Sequence, residues 1–110
     1  MGNSIKVNQK ELIALWNKAK KVEGKSPVIW RKDIAGAWIR YDQYGKRTPY
    51  GWEVSYIRPL SKGGNRDFGN LQLLHWRNNK YKGEDYPVCR TCVSSDGNMN
   101  IEKIRIWQIE

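Results

Sequence analysis

The sequence predicts a single α+β domain, and three observations carry that prediction. An amphipathic helix with its own start and stop signals lies near the beginning. Short β-prone stretches separated by Gly- and Pro-rich turns follow it. A turn signal between two longer alternating stretches lies near the end. At 110 residues the chain supports one modest core, and the whole of 1–110 reads as one domain.

The helix is read in "VNQKELIALWNKAKKVEG". Asn8 is a suitable N-cap, Glu11 three residues later completes a capping box, and Val7 can staple against Leu12. Gly24 is the expected stop. Leu12, Trp16 and Ala19 form the inward stripe, while Lys10, Lys18, Lys20 and Lys21 face outward.

Next, "SPVIWRKDIAG" reads as a connector punctuated by Pro27 and Gly36, and "AWIRY" as a short strand. "DQYGKRTPYG" has the composition of a turn region, and "WEVSYI" is the expected partner strand of a hairpin. "RPLSKGGNRDFGN" is too interrupted by Pro59, Gly63, Gly64 and Gly69 to be regular. "LQLLHWRNNKYKG" suits a short helix ending at Gly83. Finally, "VCRTCVSS" and "NIEKIRIWQI" flank Asp96-Gly97, which predicts a terminal hairpin.

Lys and Arg outnumber Asp and Glu by 20 to 11, a net charge of +9. On so small a domain this favours a polyanionic partner, usually nucleic acid. Six Trp and six Tyr accompany a single Phe. Such rings pack a core while keeping a polar handle, and they can also stack on bases. No apolar run approaches membrane-spanning length, and Met1 to Lys10 lacks the apolar middle of a signal peptide. The expectation is a cytoplasmic protein with no membrane partner. Cys89 and Cys92 form the only CxxC, with a single histidine, His75, elsewhere. A zinc site needs more ligands than these, and two cysteines three apart in a strand face opposite sides. They read as structural or incidental thiols, with a metal or redox role as the alternative.

The stretch that carries chemistry is "GWEVSYIRPLSKGGNRDFGNLQLLHWRNNKYKG", Gly51 to Gly83. A strand, a glycine-rich loop and a short helix can build a compact phosphodiester site: a base on the strand, a carboxylate beside it, and a helix ligand holding one divalent metal. The loop needs glycines to turn and an Asn to pin its backbone. This stretch resembles the HNH endonuclease motif of the ββα-metal type, whose usual form runs W-E-x-D-H-I-x-P-x-S-K-G-G, then N-L-Q-x-L, then N-N-x-x-K-G. The resemblance implies a core over 51–83, with two short strands and a helix over residues 52–83 around one cleft. It places Asn70 as the brace of the loop, Asn79 at the metal-ligand position of the helix, and Lys82 near phosphate. His75 and Asn78 stand where zinc-bearing members have two cysteines, so that zinc is not expected.

The departure lies on the strand. Where the family has Asp then His, this chain has Ser55 then Tyr56. Serine is a neutral, weak ligand, and tyrosine, with a pKa near 10, supplies little base at pH 7. Ile57, Pro59, Ser61, Lys62, Gly63 and Gly64 all keep the motif's register. The expected function is therefore a catalytically inactive HNH-like protein that binds DNA, RNA or another phosphate-bearing ligand. Its contacts would be Arg58, Lys62, Arg66, Lys80 and Lys82, with Tyr56 stacking on a base. No cofactor is expected on that reading. Two alternatives stay open. One is an active nuclease with a rebuilt site, using a divalent metal, with His75 as base or Tyr56 as nucleophile. The other is an interaction protein, of the kind found in phages or mobile elements, that blocks a protein or sequesters a small nucleotide.

Overall fold

The computed structural model describes residues 5–109. Helix α1, Gln9–Lys18, begins as its sequence dictates. Asn8 Oδ1 accepts from Glu11 N at 2.8 Å, and Glu11 Oε1 accepts from Asn8 N at 3.3 Å, closing the capping box. Leu12, Leu15 and Trp16 are its buried face. The helix stops at Lys18 rather than running to Gly24, and Arg31 gives the reason. Its buried guanidinium donates from Nη1 to the carbonyls of Asn17 and Ala19 at 3.3 and 3.0 Å, and from Nε to Pro27 O at 2.8 Å. The carbonyls at the helix end are satisfied there, and Lys20 pairs instead with Lys32 through two backbone bonds. Lys18, expected on the solvated face, remains exposed, but its ammonium bonds the carbonyls of Phe68 and Leu71 at 3.2 and 2.9 Å.

Three antiparallel hairpins follow. Strand β1, Trp30–Lys32, lies in the segment read as a connector and pairs with β2, Trp38–Arg40. Strand β3, Trp52–Tyr56, pairs with β4, Leu71–His75. The expected hairpin between "AWIRY" and "WEVSYI" therefore does not form. Each strand finds a different partner, and a bond from Arg40 N to Tyr50 O ties the end of β2 to the turn before β3. Residues read as the first half of a helix are β4, because pairing with β3 outweighs the helical tendency of "LQLL". Helix α2, Trp76–Lys82, starts where that pairing ends, and Gly83 follows it. Strands β5, Val88–Asp96, and β6, Met99–Gln108, form the terminal hairpin about the Asp96-Gly97 turn, where Gly97 takes φ +61°.

The main core lies between α1 and the β3–β4 hairpin: Leu12, Leu15, Trp16, Ile39, Trp52, Val54, Leu71 and Leu73, with Tyr41 and Tyr56 against its rim. The Cα radius of gyration, 13.0 Å, is that of one compact unit of this length, about 13 Å. The fold is a mixed α+β domain. Among the described residues, no helix is long and apolar enough to cross a membrane.

A second junction holds the β4–α2 corner to the terminal hairpin. Asp33 is buried after β1, and Oδ1 accepts from Ala35 N and Ala37 N at 3.0 and 2.9 Å. Its Oδ2 accepts from His75 N at 3.0 Å and Asn78 Nδ2 at 2.9 Å. Asn78 in turn donates to Val93 O and accepts from Cys92 N and Val93 N. One carboxylate and one amide thus join three segments distant in sequence.

Candidate functional site

The loop between β3 and β4 is tied to itself. Asn70 Oδ1 accepts from Arg58 N at 2.9 Å, while its Nδ2 donates to the carbonyls of Arg58 and Asn65 at 2.9 and 2.7 Å. Gly64 is required here, since a Cβ would sit 1.8 Å from Arg58 O. Gly63 takes φ +91° at the end of the Leu60–Lys62 turn. A side chain that bonds both neighbours' backbone fixes a loop without regular structure.

Strand alternation divides β3 between two surroundings. Trp52, Val54 and Tyr56 face the core under α1. Glu53 and Ser55 take the other side, toward α2. There Asn79 Nδ2 donates to Glu53 Oε1 at 2.7 Å, while Asn79 Oδ1 is buried without a protein partner. This brings a carboxylate to Asn79, which Ser55 alone would not have provided. The signal was present in the sequence, because Glu53 and Ser55 are two apart on one strand.

Ser55 is buried and Tyr56 half-buried at the end of β3. Both line a small pocket of about 80 Å³ with Ile5, Pro59, Leu60, Gly83 and Glu84. Lys82 is enclosed beneath them, 2% exposed, and its ammonium donates to Tyr56 O at 3.2 Å. Burial pushes its pKa down, while Cys89, Asp85 and Glu84 act in the opposite direction. Lys82 thus bonds the strand backbone from inside the domain. The other four cations are exposed. Arg58 donates to Lys62 O at 2.7 Å and lies 5.0 Å over the Tyr86 ring. Arg66 pairs with Glu11 at 3.2 Å and bonds Lys6 O. Lys62 and Lys80 form no ion pair among the described residues. Ser61 bonds Glu84 across the mouth of the loop.

His75 stands at the other end of the hairpin. It pairs with Trp52, whereas Tyr56 pairs with Leu71. Four residues of strand, at about 3.3 Å each, separate the two positions by roughly 13 Å. The ring is buried, and Nδ1 accepts from Arg77 N at 3.1 Å, which caps α2. The proton therefore sits on Nε2 and is donated to Pro49 O at 2.8 Å. Burial pushes the imidazole pKa below its ordinary value; the bond to Pro49 opposes this and Arg77 adds to it.

A stability prediction follows for His75. Its folded pKa is below that of the unfolded chain, about 6.5. Its contribution is complete above that pH and is lost as pH falls through the folded value. Urea midpoints measured between pH 7.5 and 5 should decline. A His75→Gln variant, less stable at pH 7.5, should decline less steeply, and parallel slopes would refute the assignment.

Cys89 is buried and Cys92 half-buried, both free, and burial pushes both thiols up. Among the described residues no three His, Cys, Asp or Glu side chains gather in a metal-binding group. Comparison of the chain with family models, curated proteins and solved structures returns no match.

Proposed function

We propose that the chain is a catalytically inactive, HNH-like protein that binds nucleic acid through the β3–β4 loop and the exposed side of α2. The reading rests on residue order together with geometry. The motif residues lie on a strand, a braced loop, a second strand and a helix, in that sequence. The observation that carries the inactivity is the end of β3. The positions of the metal carboxylate and the base hold Ser55 and Tyr56, and the single histidine lies at the far end of the hairpin with both ring nitrogens engaged.

For DNA binding, Arg58, Lys62 and Lys80 are the contacts left after Lys82 and Arg66 are assigned to Tyr56 O and Glu11. Each phosphate contact contributes about 0.9 to the log–log salt slope, so duplex DNA should bind with a slope near −3. Fluorescence polarisation from low to moderate salt measures it. Lys62→Glu with Lys80→Glu should abolish binding in a protein whose melting curve is unchanged. Unaltered binding by that variant would refute the interface.

Glu53 favours a second reading, because its carboxylate lies at the Asn79 amide where a metal carboxylate would be needed. Plasmid nicking in magnesium decides between the two. The proposal expects none. Nicking that chelator abolishes, and that Glu53→Gln also removes, would establish the nuclease instead.

A further inference from the structure

A groove lies along the free edge of β4, bordered at one end by the base of the motif loop, where Ile57 and Leu71 line it. The bonds Ile57 N to Asn70 O and Trp76 N to Gly51 O fix the hydrogen-bonding phase of the hairpin. Gln72 and Leu74 therefore turn their backbone groups toward β3, while Leu71, Leu73 and His75 turn theirs outward. Lys18 takes Leu71 O, and Asp33 takes His75 N. Between these two stoppers the N–H and C=O of Leu73 have no hydrogen-bond partner among the described residues. They are too few for an added strand and enough for one planar group.

Leu73 lines a groove of about 600 Å³, within the range of small-molecule sites, roughly 300–1,000 Å³. Its apolar lining includes Leu15, Leu71, Leu73 and the Trp107 indole. The charged lining is one-sided. Lys18, Lys20, Lys32 and Arg105 line the groove, and none of them is in an ion pair among the described residues. Asp33 is the one acid in the lining, and each of its oxygens already accepts two N–H bonds. Arg105 is held by its bond to Ala35 O at 3.2 Å and by the face of Trp107, 4.7 Å below.

We propose that this groove binds a mononucleotide. The base edge supplies an acceptor and a donor to Leu73, the apolar lining with the Trp107 indole flanks the ring, and the phosphate lies among Lys20, Lys32 and Arg105. Charge complementarity selects a phosphate ester over a neutral heterocycle, and the unpaired backbone groups with the apolar walls select a heterocycle over free phosphate.

Isothermal titration with 5′-AMP and 5′-UMP, beside adenosine and inorganic phosphate, tests this. At least one nucleotide should bind saturably, and both half-ligands at least tenfold more weakly. Lys20→Glu with Lys32→Glu should weaken the nucleotide at least tenfold without changing the melting curve, since these lysines join α1 to β1 through backbone bonds. Lys62→Glu with Lys80→Glu should leave it unchanged, which separates this site from the motif cleft. In ¹H–¹⁵N spectra the Leu73 amide should shift with the nucleotide. Phosphate binding as tightly as AMP, indifference to the Lys20 and Lys32 changes, or no saturable binding at millimolar nucleotide would each overturn the proposal.

Discussion

Asp33→Asn is expected to lower the unfolding free energy by about 4 kcal/mol, with Tm falling by roughly 15–25 °C. The substitution preserves size and shape, so the loss comes from polarity alone. Both carboxylate oxygens accept two N–H bonds in the native protein. Whichever way the new amide turns, its NH₂ faces two donors and leaves them unsatisfied in a buried site. Burial raises the carboxyl's pKa, and the four donors work against that rise. The loss is a large share of the roughly 5–15 kcal/mol available to a domain of this kind. Asn78→Asp makes the complementary test, since it removes the donor to Asp33 and sets a second carboxylate beside the first. Chemical denaturation of both single variants and the double variant gives their coupling. Losses below about 1 kcal/mol would show that the corner is held by packing and not by this carboxylate.

Trp52→Ala should cost a comparable 3–5 kcal/mol for a different reason. The side chain is fully buried at the centre of the aromatic cluster. Trp16, Tyr41 and Tyr44 have ring centroids 5.3, 6.4 and 4.8 Å away, and the indole N–H donates to Arg40 O at 2.7 Å. Truncation leaves a cavity and an unpaired carbonyl together. Trp52→Phe separates the two terms: it should recover most of the packing and retain the loss of one hydrogen bond, about 1 kcal/mol. A near-UV circular dichroism spectrum reports whether the cluster stays ordered. An alanine variant as stable as the parent would place the core elsewhere than between α1 and β3.

The start of α1, the Asp96-Gly97 hairpin and the irregular loop from Arg58 to Asn70 were legible in the sequence. Each is governed by contacts no more than about a dozen residues apart: a capping box, a positive-φ glycine, an asparagine bonding its own loop. Local chemistry of that range survives in a linear reading. Pairing partners do not. "AWIRY" and "WEVSYI" are adjacent and both β-prone, yet β2 pairs with β1 and β3 with β4.

The same division holds for the candidate sites. The sequence by itself determined that the strand carries Ser55 and Tyr56 where the motif it resembles has an acid and a base, because that is a matter of residue type. Tertiary structure decided where the charges can act. Lys82 reads as a phosphate contact on a basic helix, but the packing of α2 on β3 encloses it and turns its ammonium to Tyr56 O. Lys18, Lys20, Lys32 and Arg105 lie up to 87 positions apart in a chain numbered to 110. They share one groove because α1, β1 and β6 meet at the edge of β4. No spacing rule joins them, since the edge exists only after β4 has paired with β3, its single strand partner among the described residues.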